Sequence, residues 1–151
     1  MAVEYYRNPE TGAFEKVQAP KAMLEIESAD YPGCYYRVVD GEVEWFNPPM
    51  AYDTEYRTTE RDMGKPVYIK AIKCGYLPNT ATKNVEMGAS SVNVISCEVR
   101  VKNTSGINWP MPMSYNEAVS AFYYLTGTTI FLKTTRDYSE YYANAIIKYT
   151  K

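Results

Sequence analysis

From Pro66 onward, apolar and polar positions alternate with a period of two, the signature of half-buried strands. "VYIKAIKC" reads as one such strand, followed by "GYLPNTATK" as a Gly-bearing corner and a polar turn. "SVNVISCEVRVK" reads as an extended run that places Ile95, Cys97, Val99 and Val101 on one face and Glu98, Arg100 and Lys102 toward water. "TTIFLKT" follows a Thr126-Gly127 turn. In the closing "YYANAIIKYT", Tyr141, Ala143, Ala145, Ile147 and Tyr149 alternate with Tyr142, Asn144, Ile146 and Lys148. Both of those faces are half apolar, as in a sheet that packs a core on one side and meets a subunit or ligand on the other.

The first sixty residues carry shorter signals. "VEYYR" and "AFEKV" flank "NPETG", which predicts a small hairpin. "KAMLEIESADYPG" fits neither period, so helical turns and an extended arm both stay open. Asp40-Gly41, a favoured two-residue turn, predicts a hairpin of Tyr35–Val39 with Glu42–Phe46 that "NPPM" then stops. "AYDTEYRTTERDMG" reads as a polar connection ending at Gly64. "SYNEAVSAFYYL" is open between a helix capped by Ser114, with Glu117 at the third position, and a strand favoured by its aromatic tail. The pattern therefore predicts an all-β protein: a small hairpin-containing region over 1–60 and an antiparallel β-sandwich over 61–151, divided near residues 58–66.

Composition narrows the chemistry. The 151 residues are 46% hydrophobic and 23% charged, as in an ordinary globular protein of one or two units. A net charge of -2 without a basic block argues against nucleic acid as a partner. No apolar run is long enough for a bilayer-crossing helix, and "MAVEYYRNPE" lacks the pattern of an export signal, so no membrane insertion and synthesis in a cytosol without export are expected. The absence of His removes Ser-His-Asp and Cys-His sites and the commonest transition-metal ligand. Cys34, Cys74 and Cys97 have no metal spacing and are expected as free thiols, largely buried. No phosphate loop or dinucleotide fingerprint occurs, so no cofactor, no metal and no catalytic residue is assigned. Glu42 with Glu44, and Asp137 with Glu140, are the carboxylates that a sugar-cleaving pair would draw on. Solvated strand surface and turn polarity explain them as well.

Sixteen Tyr stand against four Phe and two Trp, an excess that suits half-exposed sheets, interfaces and sugar-facing surfaces. Trp109 and Tyr115 lie on the proline-stiffened stretch "INWPMPMSY", and Tyr138, Tyr141 and Tyr142 surround the last turn. These five are the candidate ligand-binding residues, a rigid aromatic platform for a sugar ring. Trp109 and Met111 would equally suit a core or a subunit interface, and Trp45 reads as a pin for its own hairpin.

"EWFNPPM", "EYRTTERDMGKPVYIKAIKCGYLPNTATKNVEMG", "WPMPM" and the ending "YYANAIIKYTK", in that order over some 120 residues, resemble tail-fibre and receptor-binding tail proteins of bacteriophages and prophages of Gram-positive gut bacteria. The resemblance implies a terminal β-domain on a homotrimeric fibre of the virion tail. Its expected partners are a host cell-surface glycan and other tail proteins, without enzymatic activity. A structural adaptor in the tail or baseplate, and a His-free glycan depolymerase, are the alternatives. Residues 1–30 carry no part of the resemblance, and "NVISCEVRVKN" holds more charge than the pattern implies.

Overall fold

The computed structural model describes residues 5–7, 14–16, 25–90, 92–116 and 118–151. These residues form strands and turns with no helix, arranged as two packed sheets and a two-stranded hairpin. The hairpin is β1 (Tyr5–Arg7) with β2 (Phe14–Lys16), as the turn chemistry between them predicts. The remaining elements are β3 (Ile26–Glu27), β4 (Tyr35–Val39), β5 (Glu42–Trp45), β6 (Glu55–Asp62), β7 (Lys65–Tyr76), β8 (Thr82–Glu86) and β9 (Asn93–Lys102). β10 (Asn108–Pro110), β11 (Met113–Tyr115), β12 (Ala118–Thr126), β13 (Thr129–Thr134) and β14 (Tyr142–Thr150) complete the chain. The larger sheet has the order β10-β9-β14-β7-β6-β5-β4-β3 and the smaller β11-β12-β13-β8. The expected all-β sandwich is the observed fold.

The core lies between β7, β14 and β9 of the large sheet and β12, β13 and β8 of the small one. Strand β14 contributes Ala143, Ala145, Ile147 and Tyr149, all fully buried, and pairs antiparallel with β7 on one side and β9 on the other. Val99 and Val101 extend this layer, and Ala121, Ile130 and Leu132 face it from the small sheet. Ile95 does not join Val99 and Val101. The register of β9 slips between Lys148 and Tyr149 of β14, so Val94 packs on the core and Ile95 is left exposed.

Two polar segments behave differently from their sequence reading. "TKNVE" is strand β8 rather than the tail of a turn, held by five residue pairs with β13. "EYRTTERD" is strand β6 rather than a connection, turning into β7 through Met63 and Gly64, both at positive φ. Within residues 58–66, Thr58 pairs with Trp45 of β5, and Arg61 and Asp62 pair with Pro66 and Lys65 of β7 after a register shift between Arg57 and Arg61. "SYNEAVSAFYYL" forms strands β11 and β12, so Ser114 caps no helix; Glu117 lies outside the described residues.

Glu44 corrects the expectation of a solvated strand face. Its side chain is fully buried and ion-paired with Arg37 of β4 and with Arg57 and Arg61 of β6. Exposed Glu42 pairs with Arg57 beside it. Strands β5 and β6 share only the Trp45–Thr58 register pair, so this cluster and the packing of Trp45 on Tyr56 hold the β4–β5 hairpin to the rest of the large sheet. Removing one partner of a buried ion cluster leaves uncompensated charge and typically costs about 3–5 kcal/mol. Glu44→Leu is therefore expected to lower the unfolding free energy by that order in urea titration; a loss below about 1 kcal/mol would show that the cluster is not what holds the hairpin.

Burial pushes the Cys74 thiol from an ordinary value of 9.0 up to about 12 and the Cys97 thiol up to about 11. Burial and a hydrogen bond to Glu55 also raise the Tyr149 phenol. A folded-state pKa raised above its unfolded value contributes stability that is complete below the unfolded pKa and lost as pH climbs toward the folded one. The urea midpoint should thus fall from about pH 9 upward, and Cys74→Val with Tyr149→Phe should flatten that fall. An equal slope in the double variant would contradict this assignment.

Candidate functional site

Among the described residues the chain passes between the two sheets four times: after β7, after β8, between β10 and β11, and between β13 and β14. Three of these crossings come together at one end. Leu77 N–H donates to the Tyr141 carbonyl, and Asn79 bridges Asp137, which ties the first crossing to the last. The β10–β11 crossing consists of Met111 and Pro112 alone. Met111 is buried, and its N–H donates to the Val99 carbonyl at 2.9 Å. That anchor leaves the flanking residues to form the wall of an open cleft.

The cleft has a volume of about 410 Å³ and is lined by Trp109, Pro110, Pro112, Met113, Ser114, Tyr115, Tyr138 and Tyr141. Four of the five aromatic residues singled out in the sequence therefore meet around one concavity. Trp109 and Tyr141 have ring centroids 5.8 Å apart at an interplanar angle of 43°, and Tyr138 meets Tyr141 edge to face at 5.1 Å. Such pairs add roughly 0.5–1.5 kcal/mol beyond the area they bury, so the rings hold one another in place. The Tyr138 hydroxyl shares a 2.6 Å hydrogen bond with Ser120 Oγ, and the Tyr141 N–H donates to the Tyr138 carbonyl. Of the two residues that the sequence left open to a core or interface role, Met111 is buried in the core, and Trp109 stays half-buried on the cleft wall.

Tyr142 is not part of this group. It packs edge to face on Tyr76 at 5.3 Å, away from the cleft lining. Adjacent residues of an extended chain point to opposite faces, so Tyr141 and Tyr142 separate. Arg136 is a residue the sequence did not flag. Its guanidinium carbon lies 3.6 Å from the centroid of the half-exposed Tyr115 ring, which braces the outer lip of the cleft. The contact joins residues 21 positions apart, and no local pattern marks it.

Asp137 and Glu140 sit exposed in the turn beside the cleft and do not line it. The Ser139 N–H holds the Asp137 carboxyl below the usual range, the role of a turn residue. Among the described residues, no group of three His, Cys, Asp or Glu side chains is placed to hold a metal ion. No protein-family model, curated protein or solved structure matches the chain.

Tyr138→Phe keeps the ring and deletes the Ser120 hydrogen bond, with an expected loss of about 0.5–1.5 kcal/mol in unfolding free energy. No loss in denaturant titration would mean that the Tyr138 ring is held by packing alone.

Proposed function

We propose that the chain is a non-enzymatic component of a bacteriophage or prophage tail fibre that binds host cell-surface carbohydrate through the aromatic cleft. The observation that carries this reading is the convergence of Trp109, Tyr115, Tyr138 and Tyr141 on one concavity between two proline-stiffened or hydrogen-bonded segments. A sugar ring offers C–H faces to aromatic rings and hydroxyls to their polar tips, and a wall already held in place loses little entropy on binding. None of the eight lining residues is a carboxylate, which favours binding over cleavage by an acid pair. Homotrimeric assembly, a place in the virion tail and contact with other tail proteins complete the proposal and rest on the sequence resemblance.

One observation favours the adaptor reading as an alternative. The outer face of the small sheet carries Phe122, Tyr124 and Phe131, with Tyr124 and Phe131 stacked in parallel at 4.9 Å and Val119 exposed nearby. Aromatic faces left to solvent are common partner surfaces.

Fluorescently labelled protein mixed with a panel of Gram-positive gut strains tests the two readings. The wild type should sediment with cells of at least one strain, and Trp109→Ala should weaken that binding tenfold or more, about 1.4 kcal/mol. Binding to no strain, with retention on phage tails that Tyr124→Arg abolishes, would replace the carbohydrate reading by the adaptor.

A further inference from the structure

Two more concavities continue from the aromatic cleft around the edge of β10, the last strand of the large sheet among the described residues. The nearer one, about 220 Å³, is lined by Arg100, Asn108, Trp109 and Pro110. The farther one, about 330 Å³, includes Met50, Tyr52, Glu98, Arg100, Asn108 and Asn144 in its walls. Trp109 and Pro110 belong to both the cleft and the nearer concavity; Arg100 and Asn108 belong to both the nearer and the farther. The three therefore form a series rather than three separate sites.

The farther concavity holds an unmet hydrogen-bonding need. Asn144 Oδ1 is shielded from solvent, and no protein donor among the described residues reaches it. The pairing of β14 sets Asn144 opposite Arg100 and Lys73, the cationic residues on its two neighbouring strands. Arg100 Nε instead donates to Glu98 Oε1 at 2.7 Å, and Lys73 Nζ stands 5.2 Å from the centroid of the Tyr52 ring. Buried carbonyl oxygens are rarely left without a donor, so this one is poised for an incoming hydroxyl or amide N–H. With it in the walls stand the Asn108 carboxamide, a mutually neutralised ion pair and an aromatic ring, a set suited to a neutral, hydroxyl-rich molecule.

We infer that the aromatic cleft is one end of a longer site, in which a neutral oligosaccharide passes around the β10 edge and donates a hydrogen bond to Asn144 Oδ1. The inference rests on the sugar-binding reading of the cleft. Sites for discrete small molecules usually span about 300–1,000 Å³. The nearer concavity falls below that range and the farther one lies at its floor, whereas a chain of rings uses all three together.

NMR titration reads both ends at once, through the Trp109 indole N–H and the Asn108 and Asn144 side-chain amides. The probes are glucose, N-acetylglucosamine and rhamnose, with linear homo-oligomers of each from two to six rings. Single rings of at least one sugar should shift Trp109 alone, and its oligomers should shift all three signals and bind at least tenfold more tightly. Asn144→Leu, outside the cleft, should remove that gain for oligomers. Oligomers that bind no tighter than single rings and leave the two Asn signals unmoved would overturn the extended site while the cleft stands. No shift of Trp109 with any of the saccharides would overturn both.

Discussion

The double pairing of β14 is the constraint on which the rest of the sandwich depends. The last strand of the chain lies inside the large sheet, bonded to β7 and β9, with one face sealed in the core. Nine residues must then satisfy backbone partners on both sides and pack four side chains without voids, which explains the Ala and Ile at Ala143, Ala145 and Ile147. The opposite face, free of the core, supplies Asn144 and Ile146 to the outer concavity. This strand and the turn that leads into it thus contribute residues to both proposed ends of the binding site.

Rigidity at the cleft follows from where the chain changes sheets. Only Met111 and Pro112 separate β10 from β11, so a buried side chain and one backbone hydrogen bond fix the positions of Trp109 on one side and Tyr115 on the other. Tyr138 and Tyr141 arrive on the neighbouring crossing, itself tied to Leu77 and Asn79. A wall built this way can offer aromatic faces with little ordering on contact, which lowers the cost of the proposed binding.

Much of the fold was legible because local chemistry and global placement agree. Asp40-Gly41 takes the positive φ values of a two-residue turn, and the alternation of β14 sets Ala143, Ala145, Ile147 and Tyr149 on the core face. Strand β6 was hidden because its arginines look solvated until Glu44 is set beside them, and Glu44 looked solvated for the same reason. β8 was hidden because it has a single half-buried Val85 on an edge strand. The bulge that exchanges Val94 for Ile95 depends on pairing with β14 and leaves no mark in β9 itself. The cleft aromatics could be picked out by residue type and proline stiffening, but their meeting point, the exclusion of Tyr142 and the brace from Arg136 arise only when the crossings are brought together.

Trp45 and Trp109 are the only tryptophans, and Trp45 is packed against Tyr36 and Tyr56 well away from the cleft. Emission from a Trp45→Phe protein therefore reports on the cleft alone. Titrating it with soluble wall polysaccharide from a strain that the protein binds should shift or quench that emission saturably, with the same midpoint as binding measured by sedimentation. Saturable binding with unchanged Trp109 emission would contradict recognition of carbohydrate by the aromatic cleft.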